Sequence, residues 1–402
     1  MKLDKKLLIP SLSGLQYGYN TSIIAGALLF VTTEFSLSPF REGILVASAM
    51  IGLCIASFAG ILSNSIGRKI ALLWGAICFI IGALLCALAP SYHFLLLGRF
   101  LAGLGSGIAV VVAPIYLTEM APPESRGKVL NLNQIGIAVG SLIAYSCNYL
   151  FSSWRVMFAI ALIPAVVQFV GLFFIKESQD KERCSVASWK NVLDPFFRRR
   201  FKIILGLAFF QALSGSAAVF FFAPRVFENA GFANADSSLL ATILIGIVYL
   251  CAILFSTWTI DRLGRRPLLL SSLSGMALSL FIISFFFWIH SPWANIITLV
   301  CLLTYIAAYS IGMGPVPPMV IGEISTMQVR GHMMSLMGAI GWTTNYFISI
   351  TFLPLIGSIT LGGTLFIYAI FCLIGLIFSY LAIPETKQKT FEEIETLFKE
   401  KS

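Results

Sequence analysis

The sequence predicts an all-α integral membrane protein, with twelve transmembrane helices in two six-helix pseudo-repeat halves. Three observations carry that expectation: an apolar composition, twelve stretches long enough to cross a bilayer, and short charged motifs that recur about 200 residues apart. Of 402 residues, 58% are hydrophobic and only 11% charged, and the mean hydropathy is +0.91. A soluble domain carries about 25% charged residues, so the bilayer is the solvent that this composition fits.

The apolar stretches fall at 7–31, 43–63, 70–89, 94–118, 129–151, 154–175, 203–223, 238–260, 267–289, 294–321, 332–353 and 363–383. Each has roughly the 20 residues a helix needs to cross about 30 Å of hydrocarbon. Helices are expected because an open sheet leaves its backbone unsatisfied in lipid. The opening "MKLDKKLLIP" reads as the start of a retained first helix, because polar residues follow at 16–22 and no small-residue cleavage site does. Seven of the eight cysteines fall inside spans and read as packing thiols, without metal or disulfide spacing.

The net charge of +9 is a matter of placement. With the N-terminus inside, 23 of the 27 Lys and Arg residues lie on the cytoplasmic side, three (Arg41, Arg155, Arg225) lie outside, and Arg99 falls within a span. The positive-inside rule then puts both termini in the cytoplasm of a multi-pass protein of the cell's inner (plasma) membrane. The basic excess is topology, and no nucleic-acid partner is expected.

Charged motifs mark a duplication. "GRK" (67–69) recurs as "GRR" (264–266), "EMAPPESRG" (119–127) as "EISTMQVRG" (323–331), and "KES" (176–178) is echoed by "PET" (384–386). The order is kept, and the Glu-to-Arg spacing is the same in Glu119/Arg126 and Glu323/Arg330. Such a pattern indicates parallel repeats about an axis along the membrane normal. The expected organisation is a first half at 1–175, a cytoplasmic linker at 176–202, a second half at 203–383 and a cytoplasmic tail at 384–402.

Polarity at membrane depth narrows the chemistry. Each of the 18 acidic residues sits in a link, a tail or a helix end, and the three histidines lie at span ends. No nucleophile–base set or metal-ligand spacing is present, so neither an enzyme nor a cofactor is expected. "GLGSG" (103–107) lies inside a span and reads as small-residue helix packing rather than a phosphate loop. Arg99 is the one basic residue within a span; its burial costs at least about 2.5 kcal/mol on insertion scales, so it should face the interior. In-span amides and an indole (Gln134, Gln211, Asn345, Trp342) suit a polyol, since amides both donate and accept and an indole face covers the C–H side of a ring. Each of these groups would also serve as interhelical glue.

Taken in order, "GYNTSIIAG", "GILSNSIGRK", "GRFLAGLGSG", "EMAPPESRGK", "NQIGIAVG", "FFQALSGSAAVFFFAPRVFENAG", "DRLGRRPLLL", "GMGPVPPMVIGEI" and "PETKQKTFEEI" resemble the sugar porter family of the major facilitator superfamily over nearly the whole chain. The resemblance implies sugar contacts at Gln134, Gln211, Trp342 and Asn345. It also implies a cytoplasmic gate in which Glu119 and Arg126 meet Arg330 and Glu323 when the inner side closes, extended by Arg68, Asp261, Arg265 and Arg266. Family proton symporters have Asp at the position of Asn20, paired with the Arg at the position of Arg99, whereas facilitative glucose transporters have Asn. The chain departs from the family at Asn64, usually Asp, and at Ala212, Ala217, Tyr249, Gly341 and Pro318, where hydroxyl-reading amides or a Trp are frequent.

The expectation is therefore a carrier of a hexose, pentose or related polyol, working as a facilitative uniporter and functional as a monomer in the lipid bilayer. A proton-coupled sugar symporter is the first alternative. A non-transporting sugar sensor and a multidrug exporter, the latter suggested by "VFFFAPRVF" (219–227), rank below it.

Overall fold

The structure is a computed structural model, and it describes residues 8–121, 126–177, 198–232, 234–325, 329–387 and 393, without the side chains of 126–130, 198, 199 and 261. Most of the expected linker and tail lies outside the described residues, as do the side chains of Arg126 and Asp261.

The first half comprises α1 (Leu8–Phe35), α2 (Pro39–Ala56), α3 (Ala59–Ile66), α4 (Arg68–Ala87), α5 (Tyr92–Met120), α6 (Arg126–Leu150), α7 (Trp154–Ile160) and α8 (Leu162–Phe173). The second comprises α9 (Arg198–Leu213), α10 (Ser216–Asn229), α11 (Ala235–Leu263), α12 (Arg265–Trp288), α13 (Ala294–Ala308), a π-helical turn (Tyr309–Met313), α14 (Val316–Ile324) and α15 (Arg330–Ala382). Nine stretches among the described residues are apolar and long enough to cross a bilayer. To these α1 and α6 add two that have the length but hold polar clusters, and α15 turns at Ile359 and Thr360 and so crosses twice. The twelve-helix major facilitator fold expected from the sequence is the fold observed.

Small residues set the closest packing. A Cβ at Gly103 would lie 2.1 Å from the Ala49 carbonyl oxygen of α2, and one at Gly105 would lie 2.4 Å from the Phe79 nitrogen of α4. "GLGSG" is thus the surface that brings α5 against both neighbours. The halves meet along two seams, α2 with α15 and α6 with α11, and α1 also packs on α10 across them. Among the described residues α5 and α14 share no comparable packing, so these two helices are parted at the end of the bundle holding the duplicated charges, where α3 still meets α15. At the opposite, closed end α2 lies against α15 at Gly43 and Ser349. At that closed end Arg155 grips Glu34 with two hydrogen bonds, Nη1 to Oε2 at 2.9 Å and Nη2 to Oε1 at 2.7 Å, tying α7 to α1.

Candidate functional site

The polar residues of α1 divide among three tasks according to the face each occupies. Gln16 Nε2 donates to the Pro164 carbonyl at 3.1 Å and Tyr19 hydroxyl to the Met157 carbonyl at 2.7 Å, so both bind the half together. Asn20, one residue on, meets Arg99. Tyr17 and Thr21, spaced i,i+4 on another face, join Ser22 at a cavity between the halves.

Arg99 is 2% exposed. Its Nη1 donates to the backbone carbonyl and to Oδ1 of Asn20, each at 2.9 Å. Asn20 Nδ2 donates to Ser106 Oγ at 3.0 Å, and Ser106 donates in turn to the Ala102 carbonyl at 2.8 Å. The guanidinium also lies 5.8 Å from the centre of the Phe158 ring. Among the described residues no carboxylate is within ion-pair distance of Arg99, and neutral oxygens and an aromatic face compensate its charge.

The cavity measures about 110 Å³ and lies where both halves contribute walls. The first half supplies Tyr17, Thr21 and Ser22 from α1 and Ser141 from α6. The second supplies Ser216, Ala217 and Phe220 from α10, Tyr249 from α11, Tyr309 from the π-helical turn, and Trp342 and Asn345 from α15. Tyr17 stands edge-on to Trp342 across the halves, centroids 6.0 Å apart, and Phe220 packs on both Tyr249 and Tyr309 at 5.2 and 5.8 Å. Asn345 Oδ1 is buried without a hydrogen-bond partner. This lining offers hydroxyls, an amide and aromatic faces, and none of its groups is charged at neutral pH. It suits a neutral polyhydroxylated ligand.

Trp342 and Asn345 line this cavity; Gln134 and Gln211 do not. Gln134 is exposed on α6, and Gln211 Nε2 donates to the carbonyls of Met313 (2.8 Å) and Gly314 (3.2 Å), bracing the π-helical turn. Tyr17, Thr21, Ser141, Ser216 and Tyr309 line it without having been singled out as contacts. The spacing of Tyr17 and Thr21 was the available signal. Two departures from the family, Ala217 and Tyr249, form part of the wall, and a side chain at Gly341 would meet open space.

At the parted end the duplicated motifs build the same module twice. Gly67 (φ 98°) and Gly264 (φ 93°) take conformations that disfavour a Cβ and open α4 and α12. A carboxylate then caps each helix start: Glu177 Oε1 accepts from the Lys69 backbone N–H at 3.0 Å, and Glu385 from those of Arg265 and Arg266 at 3.1 and 3.0 Å. Arg68 pairs with Glu119 at 3.1 Å and Arg265 with Glu323 at 2.8 Å. Asn64 is exposed, and Glu119 supplies the counter-charge of Arg68. Arg266 Nη2 donates to the Tyr380 carbonyl at 2.6 Å. Both pairs lie within a half, so Glu119 is engaged by Arg68 in this arrangement, and Arg330 is exposed.

A family model described as "Sugar (and other) transporter" matches residues 6–181 and 179–398. The "Putative metabolite transport protein YwtG" of Bacillus subtilis is 32% identical over 98% of this chain and 94% of its own length. "Polyol transporter 5" of Arabidopsis thaliana is 30% identical over 97% of this chain and 85% of its own. A solved D-xylose-proton symporter superposes with a TM-score of 0.84 at 31% identity, covering 96% of this chain and 98% of that one.

Proposed function

This chain belongs to the sugar porter family of the major facilitator superfamily, a family of transporters and not enzymes, and on that premise we propose facilitative transport by alternating access. Transport of a sugar or polyol across a membrane follows from the family; uniport, the contact residues and the orientation are the proposal. Both termini and the duplicated charge modules face the cytoplasm of an inner (plasma) membrane, so the arrangement described here is the inward-facing one. The halves 1–175 and 203–383, joined by 176–202 and followed by the tail 384–402, rock about the cavity in a functional monomer.

The ligand is a monosaccharide or polyol held by Trp342, Asn345 and the hydroxyls around them. The cavity is small beside the ~300 Å³ and more of typical ligand sites, which favours a compact ligand. Gln134 and Gln211 join the ligand only after rearrangement, Gln211 by leaving the π-helical turn. When the cytoplasmic end closes, Glu119 and Arg126 exchange partners with Arg330 and Glu323, and Arg68, Asp261, Arg265 and Arg266 follow.

The observation that carries uniport is the Asn20–Arg99 contact, in which an amide occupies the place of a titratable carboxylate. An amide holds its proton at every physiological pH, so this site cannot load and unload one. Proton symport is the second reading, favoured by the structural similarity to a D-xylose-proton symporter. Sugar uptake with and without a proton gradient separates the two.

A further inference from the structure

Glu42 is the one buried carboxylate among the described residues, 5% exposed, in the first turn of α2. Its Oε1 accepts from Arg225 Nη2 of α10 at 3.0 Å. The pairs Arg68–Glu119, Arg155–Glu34 and Arg265–Glu323 each lie within one half, whereas Glu42–Arg225 joins the first half to the second at the closed end. Around it the seam is tightly packed. A Cβ on Gly43 would stand 2.6 Å from the Ser349 carbonyl oxygen of α15, and Phe222 of α10 packs on Phe352 of α15 with centroids 5.2 Å apart.

Arg225 has a second partner, Glu228 Oε2 at 3.1 Å, on its own helix at i,i+3. The helix itself is a separable piece: Gly215 (φ 88°) breaks it from α9, and it contains Pro224 and a non-helical Phe222 (φ −119°, ψ 18°). If α10 moves away from α2, the Arg225–Glu228 pair travels with α10 while Glu42 becomes hydrated.

We propose that Glu42 and Arg225 form a latch that exists only when this end is closed, and that as positioning residues outside the sugar cavity they set the ratio of the two facing states. A buried ion pair contributes little net stability, because desolvation offsets its attraction, but removing Arg225 leaves the buried Glu42 carboxylate unpaired, and removing Glu42 leaves Arg225, 23% exposed, with Glu228 alone in a tight seam. That penalty falls on the closed form alone, since water solvates either charge once the seam parts. Neutralising one member therefore moves the population toward opening of this end, and neutralising both removes most of the shift. Neutralising Glu228 removes a pair present in both states and leaves the ratio nearly unchanged.

The inference rests on the alternating-access reading, and its test needs no sugar, so it can fail while the substrate assignment stands. Hydrogen exchange is followed by mass spectrometry on the full chain, in the unmodified form and as Glu42→Gln, Arg225→Gln, the double variant and Glu228→Gln. The latch predicts reciprocal behaviour in each single variant: about tenfold faster exchange in the first turns of α2 and in α10, with slower exchange at the opposite ends of α5 and α14. The double variant returns toward the unmodified pattern, and Glu228→Gln stays within about twofold of it. Faster exchange at both ends would mark simple destabilisation and overturn the proposal. So would an unchanged pattern in Glu42→Gln, or a shift in Glu228→Gln as large as in Arg225→Gln.

Discussion

Arg99 Nη1 binds Asn20 twice, through the side-chain oxygen and through the backbone carbonyl, both at 2.9 Å. The side-chain half of that contact can be removed while the backbone half stays. Asn20→Ala should cost about 2 kcal/mol, the typical worth of a buried hydrogen bond to a charged group, seen as a lower thermal midpoint. Asn20→Asp should keep the contact and bring in a titratable group whose ionised form the Arg99 charge favours and burial opposes, so that sugar exchange becomes pH-dependent where the unmodified protein shows no dependence attributable to this site. An Asn20→Asp variant with the unmodified pH profile would remove the contact from the coupling argument.

The cavity wall makes selectivity testable. Asn345→Ala removes an amide whose oxygen is otherwise unpartnered, and should raise the half-saturation concentration about fivefold, the equivalent of about 1 kcal/mol. Ala217→Asn places an amide on the same wall and should improve use of an aldohexose relative to a pentose or polyol, as measured by competition in a labelled-sugar uptake assay. If both variants leave sugar uptake unchanged but alter efflux of a lipophilic cation, the exporter reading gains the ground that the sugar site loses.

The twinned charge modules carry a third expectation. Glu119 pairs with Arg68 here, and the proposed closure would hand it to Arg330. Glu119→Arg should weaken closure of that end, read as increased labelling of cysteines placed in the vestibule, and Arg330→Glu should partly reverse it. Equal labelling in the single variant, or no reversal in the double, would contradict the exchange of partners.

How far the sequence announces this architecture differs between the fold and the site. Span length, the asymmetry of Lys and Arg, and the echo of Glu119–Arg126 in Glu323–Arg330 are readable because lipid and topology constrain them independently of packing. The breaks at Gly215 and at Tyr309–Met313 are not, since a discontinuity inside an apolar run changes neither composition nor length. Facing is harder still. In a helix apolar all round, a polar group serves equally as glue or as a ligand contact, and only the neighbouring helix decides. Gln211 is engaged with the carbonyls of Met313 and Gly314, and Gln16 with that of Pro164, while Thr21, a plainer residue, faces the cavity.

At the closed end, the hydrogen bonds from Arg155 hold the Glu34 carboxyl below its usual range. Because the folded value is depressed, the clamp's stabilisation is present above the unfolded value and is lost as pH falls through the folded one. The pair is 42% and 39% exposed, so solvent and salt screen it to well under about 1 kcal/mol. Thermal unfolding between about pH 3 and 6 should accordingly fall slightly less steeply with acid in Glu34→Gln than in the unmodified protein, and the difference should shrink in high salt.

The most direct test of the central claim is uptake of labelled D-xylose and a labelled hexitol into proteoliposomes, with and without an inside-alkaline gradient, at clamped voltage. With an amide beside Arg99, the internal concentration of whichever substrate is carried should rise only to the external one, and to the same level in both conditions. Concentrative uptake that requires the gradient would contradict facilitative transport and make the protein a proton symporter.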